Sequence, residues 1–509
     1  MNDQTVAAGT PAATIDENGR IFVGRSVKPE YLDLKLANRH GLITGATGTG
    51  KTVSLQILAE GFSRAGVPVF AADIKSDLAG LAEKGTSKAP LEKRAGDIGL
   101  TGYEYQAFPV VFWDLFGEQG HPVRAQVSDM GALLLSSLLE LNEVQEGILN
   151  IAFRVAAEEE MPLVDLADLR AIIMNVGERA KELQVKYGNV SKASIGAIQR
   201  RLLVLEEQGA NNFFGEPALK IADIMRTDAK GQGIINILAA DKLMQSPRLY
   251  STFLLWLLSQ LFEKLPEVGD PDKPKLVFFF DEAHLLFDDA PDALLDKIEQ
   301  VTRLIRSKGV GVYYVTQNPL DVPDSVSSQL GNRIQHALRA FTPREQKAVR
   351  AAASTFRPNP DLDTERTIMD LGVGEALVSF LERKGEPSIV QRTLIRPPRS
   401  RLGPLTQNER MIVIENSSLY GRYEERLERH SAAEMLEERA QVAAKQAEAQ
   451  AAEAEAEKQK AESGGGFLGG LFKTGGRRQS VGEAFTKSIM RSIGSAIGRT
   501  LIRMMTGRR

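Results

Sequence analysis

The eight residues Gly45-Ala46-Thr47-Gly48-Thr49-Gly50-Lys51-Thr52 constrain this chain more than any other stretch. They have the form G-x-x-x-x-G-K-[ST], a loop whose backbone closes around phosphate oxygens. The run before them, His40-Gly41-Leu42-Ile43-Thr44, is short, apolar and β-prone. The run after them, Val53 to Arg64, has helical spacing, with Leu55, Leu58 and Phe62 on one stripe. A strand, a Gly-rich turn and a helix start are the context such a loop requires. The glycines let backbone N–H groups approach phosphate, and the helix N-terminus adds a favourable dipole. Lys51 would reach the β- and γ-phosphates of a nucleoside triphosphate, and the Thr52 hydroxyl would ligate Mg²⁺. ATP and Mg²⁺ are therefore the expected cofactors.

A second element complements the loop. Leu276-Val277-Phe278-Phe279-Phe280 is a continuous apolar run that ends in Asp281-Glu282. A carboxylate at such a strand end can hold Mg²⁺, and the next one can take a proton from attacking water. Asp281 is assigned to the metal and Glu282 to water activation. A third run, Tyr313-Tyr314-Val315-Thr316-Gln317-Asn318-Pro319, reads as a strand ending in an amide. Next to the acidic strand, Gln317 would sense the γ-phosphate or orient water; a surface Gln before a proline turn is the alternative. Charge spread over a γ-phosphate in transfer is stabilised by arginine. Arg303, Arg306, Arg333 and Arg124 are the candidates, each of which can equally be an ordinary surface or salt-bridge residue. Arg306 in cis and Arg124 from a neighbouring subunit are the expected pair.

Length and composition bound the rest. A chain of 509 residues suggests about three domains. A hydrophobic share of 43% and a charged share of 25% fit a globular protein with a large core. The net charge of -3 is too small to imply a partner. Cysteine is absent, which excludes disulfides and thiolate chemistry and suits a reducing compartment. The five histidines show no close pair at metal-ligand spacing. The N-terminus lacks the basic start and apolar core of a signal peptide, and no run approaches the ~20 apolar residues of a membrane span. The most apolar helical stretch, Phe253 to Phe262, is short and contains Ser259 and Gln260. The cytoplasm is the expected location.

Apolar strands alternate with helical segments: Ile21–Gly24, Leu32–Leu36, Val67–Asp73, Val110–Asp114, Gly233–Ala239, Leu276–Glu282, Gly311–Thr316, Ile334–Phe341 and Ala376–Leu381 read as strands. This pattern predicts an α/β fold with a central mostly parallel sheet covered on both faces. Residues 1–19 read as a disordered tail and residues 20–404 as the ATPase domain, with a helical insertion at about 123–230. Residues 405–463 read as a helical, Ala/Glu-rich extension whose mostly alanine apolar positions would make a weak coiled-coil seam. A Gly-rich linker spans 464–480 and a basic amphipathic helix 481–509, with Phe485, Ile489, Ile493, Ile497 and Leu501 at i+4 steps. Residues 464–509 carry nine Lys or Arg and a single Glu. That helix would dock on an anionic membrane, nucleic acid or an acidic protein surface, or pack on the protein itself or a sister subunit.

These motifs resemble the HerA/FtsK branch of P-loop ATPases, through Gly45–Thr52, Leu276–His284 and the run from Arg306 to Pro319. The resemblance is closer still to the bacterial HerA-like (helicase HerA-like C-terminal) group. It rests on His121-Pro122-Val123-Arg124, Leu141–Gly147, Phe213-Phe214-Gly215-Glu216-Pro217 and the basic tail Ser480–Arg499, and it covers almost the whole chain. It implies a RecA-like P-loop NTPase fold and a ring, commonly a homo-hexamer, in which Lys51, Thr52, Asp281, Glu282 and Gln317 hold the matching roles. Several such relatives pump DNA. This sequence departs from HerA helicases in having only about twenty structured residues before the P-loop strand, too few for the N-terminal β-barrel of HerA. That departure puts a NurA-like nuclease partner in doubt. Two readings follow: an ATP-hydrolysing DNA translocase or helicase-like motor, and a nucleotide-gated scaffold apposed to a membrane through residues 481–509.

Overall fold

The computed structural model describes residues 15–16, 19–100, 102–288, 292–382 and 384–463. Most of the expected N-terminal tail, the Gly-rich linker and the basic helix lie outside the described residues. Two compact units are distinguished, 1–439 and 440–509.

The first unit is built on one sheet, with twelve strands among the described residues. These are β1 (Arg20–Arg25), β2 (Pro29–Asp33), β3 (Gly41–Thr44), β4 (Val69–Asp73), β5 (Val110–Asp114), β6 (His121–Pro122), β7 (Ile235–Ala239), β8 (Leu276–Phe280), β9 (Val310–Thr316), β10 (Asn332–Gln335), β11 (Glu375–Ser379) and β12 (Gln391–Ile395). Their spatial order is β2-β1-β12-β11-β10-β3-β9-β8-β4-β7-β5-β6. From β10 to β6 every pairing is parallel, and from β2 to β10 every pairing is antiparallel. The parallel strands β3, β4, β5, β7, β8 and β9 are buried throughout because both faces are covered. Side chains alternate between two cores accordingly. Phe70, Trp113, Phe278 and Phe280 face the core that the helical insertion and the helix Pro247–Lys264 close. Val69, Phe112, Val277 and Phe279 face the one closed by the helix Lys51–Arg64.

The insertion between β6 and β7 contains the helices Val127–Leu138, Glu143–Glu158, Leu166–Glu178, Ala180–Tyr187 and Lys192–Glu207. Asn142 and Gln145 start the second of these with a reciprocal capping box, which accounts for the polar start of the Leu141–Gly147 motif.

Several expected elements differ. Leu32–Leu36 is not one strand: β2 ends at Asp33, whose carboxylate accepts from the Lys35 amide at 3.0 Å and starts a 3₁₀ turn. β10 stops at Gln335, because the chain beyond it leaves the sheet to cover the P-loop, where the Ala337 carbonyl accepts from Ala46 N at 2.8 Å. The two-residue β6 and the partly exposed β12 give no clear strand signal in the sequence. The expected helical extension 405–463 is interrupted. The helices Gln407–Glu415 and Ala432–Ser463 are separated by residues 416–431, which form turns and a strap fixed to the insertion. Ile15, placed in the expected disordered tail, bridges to Ile21.

The segment after β12 is locked to the P-loop helix by a buried ion pair. Arg396 donates to Glu60 at 2.9 Å, and both side chains are at most 1% exposed. Glu60 also accepts from Arg399 N, Ser400 N and Ser400 Oγ at 2.7–2.9 Å, so its lone pairs are satisfied. Such a pair adds little over a well-packed apolar isostere, but breaking one half leaves a buried charge uncompensated. Arg396→Met is expected to lower stability by roughly 3–5 kcal/mol, and adding Glu60→Gln should recover part of that loss. Denaturant unfolding reads both; an Arg396→Met loss below about 1 kcal/mol would contradict this account.

Candidate active site

The carboxyl ends of the parallel strands form one rim, and the sequence-predicted residues gather there. Thr44 stands opposite Thr316, and Phe280 opposite Tyr314. The P-loop that follows β3, the amide that follows β9 and the acids that follow β8 are therefore level. Because β9 lies between β3 and β8, the P-loop and the acidic pair are two strand spacings apart, about 10 Å. That gap is bridged by Gln317. Thr47 Oγ1 donates to Gln317 Oε1 at 3.1 Å, and Gln317 Nε2 donates to the two Glu282 carboxylate oxygens at 3.3 and 3.4 Å.

The loop itself is shaped by its neighbours. A Cβ on Gly45 would come within 2.5 Å of His336 Cβ, and Gly45 and Gly50 have φ of 151° and 119°. Only glycine fits at these two places. Buried His336 braces the loop from behind. Its Nε2 lies 2.8 Å from Ser54 Oγ and its Nδ1 2.9 Å from the Glu375 carbonyl, and burial pushes its pKa down to about 4. It is thus a neutral clamp between the P-loop helix, β10 and β11. Thr49 Oγ1 donates to the Ala46 carbonyl at 2.7 Å, and the Thr49 carbonyl accepts from Gly374 N at 3.1 Å. Thr44 Oγ1 also donates to Gln335 Oε1. Lys51 Nζ donates to the carbonyls of Gly45 at 2.7 Å and Ala46 at 3.2 Å. Burial lowers the Lys51 pKa, and the nearby Glu282 and Asp281 oppose that shift. An ammonium held only by carbonyl dipoles, beside a helix start with no side-chain cap, fits a polyphosphate.

The acids carry the opposite perturbation. Asp281 has its pKa raised to about 6, first by burial and then by Glu282. Its carbonyl accepts from the buried Tyr250 hydroxyl at 2.8 Å, which pins the strand end. Asp73, at the end of β4, has its pKa raised to about 7 by burial and by Asp281. Among the described residues no cluster of three or more His, Asp or Glu is placed to hold a metal. Mg²⁺ commonly takes one or two protein oxygens and completes its shell with water and phosphate, so Thr52 and Asp281 fit it as donors. Glu282 is buried and sits in the left-handed region at φ 47°. Lys75 Nζ lies 3.3 Å from its Oε1, and His284 Nδ1 is 3.6 Å from its Oε2. Lys75, Tyr250 and His336 were not singled out from the sequence. Lys75 could have been found, since it lies two residues beyond a parallel strand that ends in a carboxylate.

The arginines fall elsewhere. Arg306 precedes β9, so that seven-residue strand, roughly 20 Å of chain, separates it from Gln317. It pairs with Asp270 at 3.1 Å, near Arg39, at the amino end of the sheet. The expectation that Arg306 serves its own P-loop is therefore overturned by strand direction. Arg124 is buried and donates to the Tyr423 carbonyl at 2.7 Å, so it secures the 416–431 strap and does not project toward a neighbour. Arg333 is also occupied, donating to the Ser327 carbonyl at 2.8 Å, and Arg303 lies 3.8 Å from Glu299.

The helicase HerA-like C-terminal family model matches residues 19–509. The chain belongs to that family. No curated protein matches it in sequence. Among solved structures it is similar to the bacterial conjugative coupling protein TrwB, at 16% identity and a TM-score of 0.48, over 75% of this chain and 91% of that one. It is also similar to VirB4 of Thermoanaerobacter pseudethanolicus, at 14% identity and a TM-score of 0.49, over 75% of this chain and 98% of that one. This HerA-like chain has the RecA-like P-loop ATPase fold: a mostly parallel sheet with a strand between the P-loop strand and the acidic strand. Among its described residues no helix is long and apolar enough to cross a membrane.

The raised carboxyl groups give a stability signature. Asp73 ionises near pH 3.8 when unfolded and near 7 when folded. Below the lower value it is protonated in both states. Between the two values only the unfolded chain releases its proton, so the group removes stability as pH rises, and the loss levels off above about 7. Asp73→Asn keeps an acceptor for Leu78 N, which Asp73 Oδ2 now binds at 3.0 Å. The variant is expected to melt above wild type at about pH 8 and to converge with it toward about pH 4. A difference that does not change with pH would contradict the assignment.

Proposed function

We propose that this HerA-like chain hydrolyses ATP and works as the subunit of a ring motor that moves DNA. One observation carries the catalytic part: the Glu282 carboxylate after β8, the Gln317 amide after β9 and the Lys51 ammonium at the start of the helix Lys51–Arg64 converge on the mouth of the phosphate loop. Lys51 and residues 45–52 would hold the triphosphate, Glu282 would accept the proton of the attacking water, and Gln317 would orient that water. Mg²⁺, held through Thr52 and Asp281, would neutralise charge on the β- and γ-oxygens.

The position of the arginines supports the ring reading. Arg306 and Arg39 share Asp270 at the amino end of the sheet, while the P-loop is at the carboxyl end. From there, a finger role for Arg306 would be exerted on a neighbour's site. That requires a head-to-tail contact between copies, the kind of interface that closes into a ring. Membership of the HerA-like family favours six subunits and DNA as the polymer.

Lys51→Ala is expected to abolish turnover, and Glu282→Gln to retain bound ATP without hydrolysing it. If both variants still hydrolyse ATP, the site assignment is wrong. Arg306→Ala should reduce activity by roughly 10³-fold or more, as for other arginine fingers. Mixing Arg306→Ala with Lys51→Ala subunits should restore part of it, because the Lys51→Ala subunit supplies Arg306 to an intact P-loop. No recovery in any mixture would exclude a trans finger. Stimulation of ATPase activity by double-stranded DNA tests the polymer; a flat response with tail-dependent binding to anionic vesicles would favour a nucleotide-gated scaffold instead.

A further inference from the structure

The ends of β4 and β8 bring three carboxylates together. Ala71 pairs with Phe279, and two residues further along each strand come Asp73 and Asp281, with Glu282 next. After burial, Asp281 contributes to the raised pKa of Asp73, and the buried Glu282 to that of Asp281. Two ammonium groups stand against them. Lys51 is turned into the loop, donating to the Gly45 and Ala46 carbonyls. Lys75 is turned the other way, with Nζ 3.3 Å from Glu282 Oε1. The Lys75 side chain is 49% exposed, while that of Glu282 is 8% exposed, so a mobile cation reaches inward to a fixed acid. Gln317 Nε2 holds the same carboxylate from the P-loop side at 3.3 and 3.4 Å.

The backbone on both sides of this pair is unusual. Glu282 has φ 47° and Ser76, next to Lys75, has φ 60°. Neither is glycine, and such conformations persist only where the surroundings over-determine them. They lie at the two adjacent strand ends where Lys75 and Glu282 meet.

We propose that Lys75 is a positioning residue for Glu282: its ammonium holds the carboxylate against Gln317 at the mouth of the P-loop, so the base is aimed before nucleotide arrives. The inference rests on the reading of Glu282 as the water-activating base. Without Lys75, the repulsion between Asp281 and Glu282 is opposed by one ammonium fewer, and the remaining one, Lys51, is committed to the loop carbonyls. Glu282 would then swing away from Gln317, while the phosphate-holding groups stay in place. The consequence is a loss in the chemical step and not in nucleotide affinity.

Full-length wild type, Lys75→Met, Lys75→Arg and Glu282→Gln distinguish the possibilities. Lys75→Met should lower kcat at least ~10-fold, a share of the ~10²–10⁴ that a positioned general base supplies, with KM for ATP within about twofold of wild type. Lys75→Arg should recover most of kcat. An increase in KM with unchanged kcat would mean that Lys75 binds nucleotide, and unchanged values of both would mean an ordinary solvated lysine; either overturns the proposal. Melting of the nucleotide-free protein gives a readout independent of turnover. Lys75→Met should lower the melting temperature in the wild-type background and have a clearly smaller effect beside Glu282→Gln. Equal effects in both backgrounds would refute the pair, even if wild type proved inactive. An inactive wild type, or an active Glu282→Gln, would instead overturn the assignment of Glu282 as base.

Discussion

The candidate site depends on one constraint, the parallel register of β3, β9 and β8. Thr44 lies level with Thr316, and Phe280 with Tyr314. Side chains far apart in sequence, such as those of the P-loop and of Gln317, therefore leave the sheet at the same height. A slip of one residue in any of these strands would turn its buried side chains to the other face and break both cores. The hydrophobic alternation that keeps Phe278 and Phe280 on one face and Val277 and Phe279 on the other thus also sets the place of Glu282. Core packing and site geometry are fixed by the same contacts, and the buried His336 clamp and Tyr250 hydrogen bond add local rigidity at the two ends of the rim.

A second region takes up several residues that looked functional. His121 and Arg124 belong to one sequence signature and Glu216 to another, and all meet the strap 416–431. His121 Nδ1 is 2.6 Å from Glu424, Arg124 holds the Tyr423 carbonyl, and Arg429 lies 3.0 Å from Glu216. Tyr423 is buried against Trp113, with its hydroxyl donating to Asp223 at 2.5 Å. The strap joins the insertion to the far edge of the parallel sheet. Residues of distinctive type, recurring in a specific spacing, here secure the fold, and the loss of Arg124 as a neighbour-facing finger follows directly.

The P-loop, its strand and helix, and the acidic and amide strand ends could all be located in the sequence, because each is a local pattern. Apolar runs that end in a polar residue mark buried parallel strands whatever surrounds them. Short or partly exposed elements could not be read in this way. The two residues of β6 are too few to show a period, and β12 alternates weakly because the antiparallel half of the sheet is exposed at intervals. The strap also escaped detection, since Arg422, Glu424 and Arg426 look like solvated charges until Asp223, His121 and Asp165 are brought beside them.

By itself the sequence determined that this chain carries a phosphate loop followed by an acidic pair and an amide, on an α/β framework with a helical insertion. Those conclusions need only neighbours in sequence. Tertiary structure decided which partners each charge has. It put Lys75 on Glu282, gave Arg124 to the strap, and set Arg306 a full strand length from its own P-loop. Strand order and direction govern these distances. They arise from pairings between segments far apart in the chain, which no local pattern encodes.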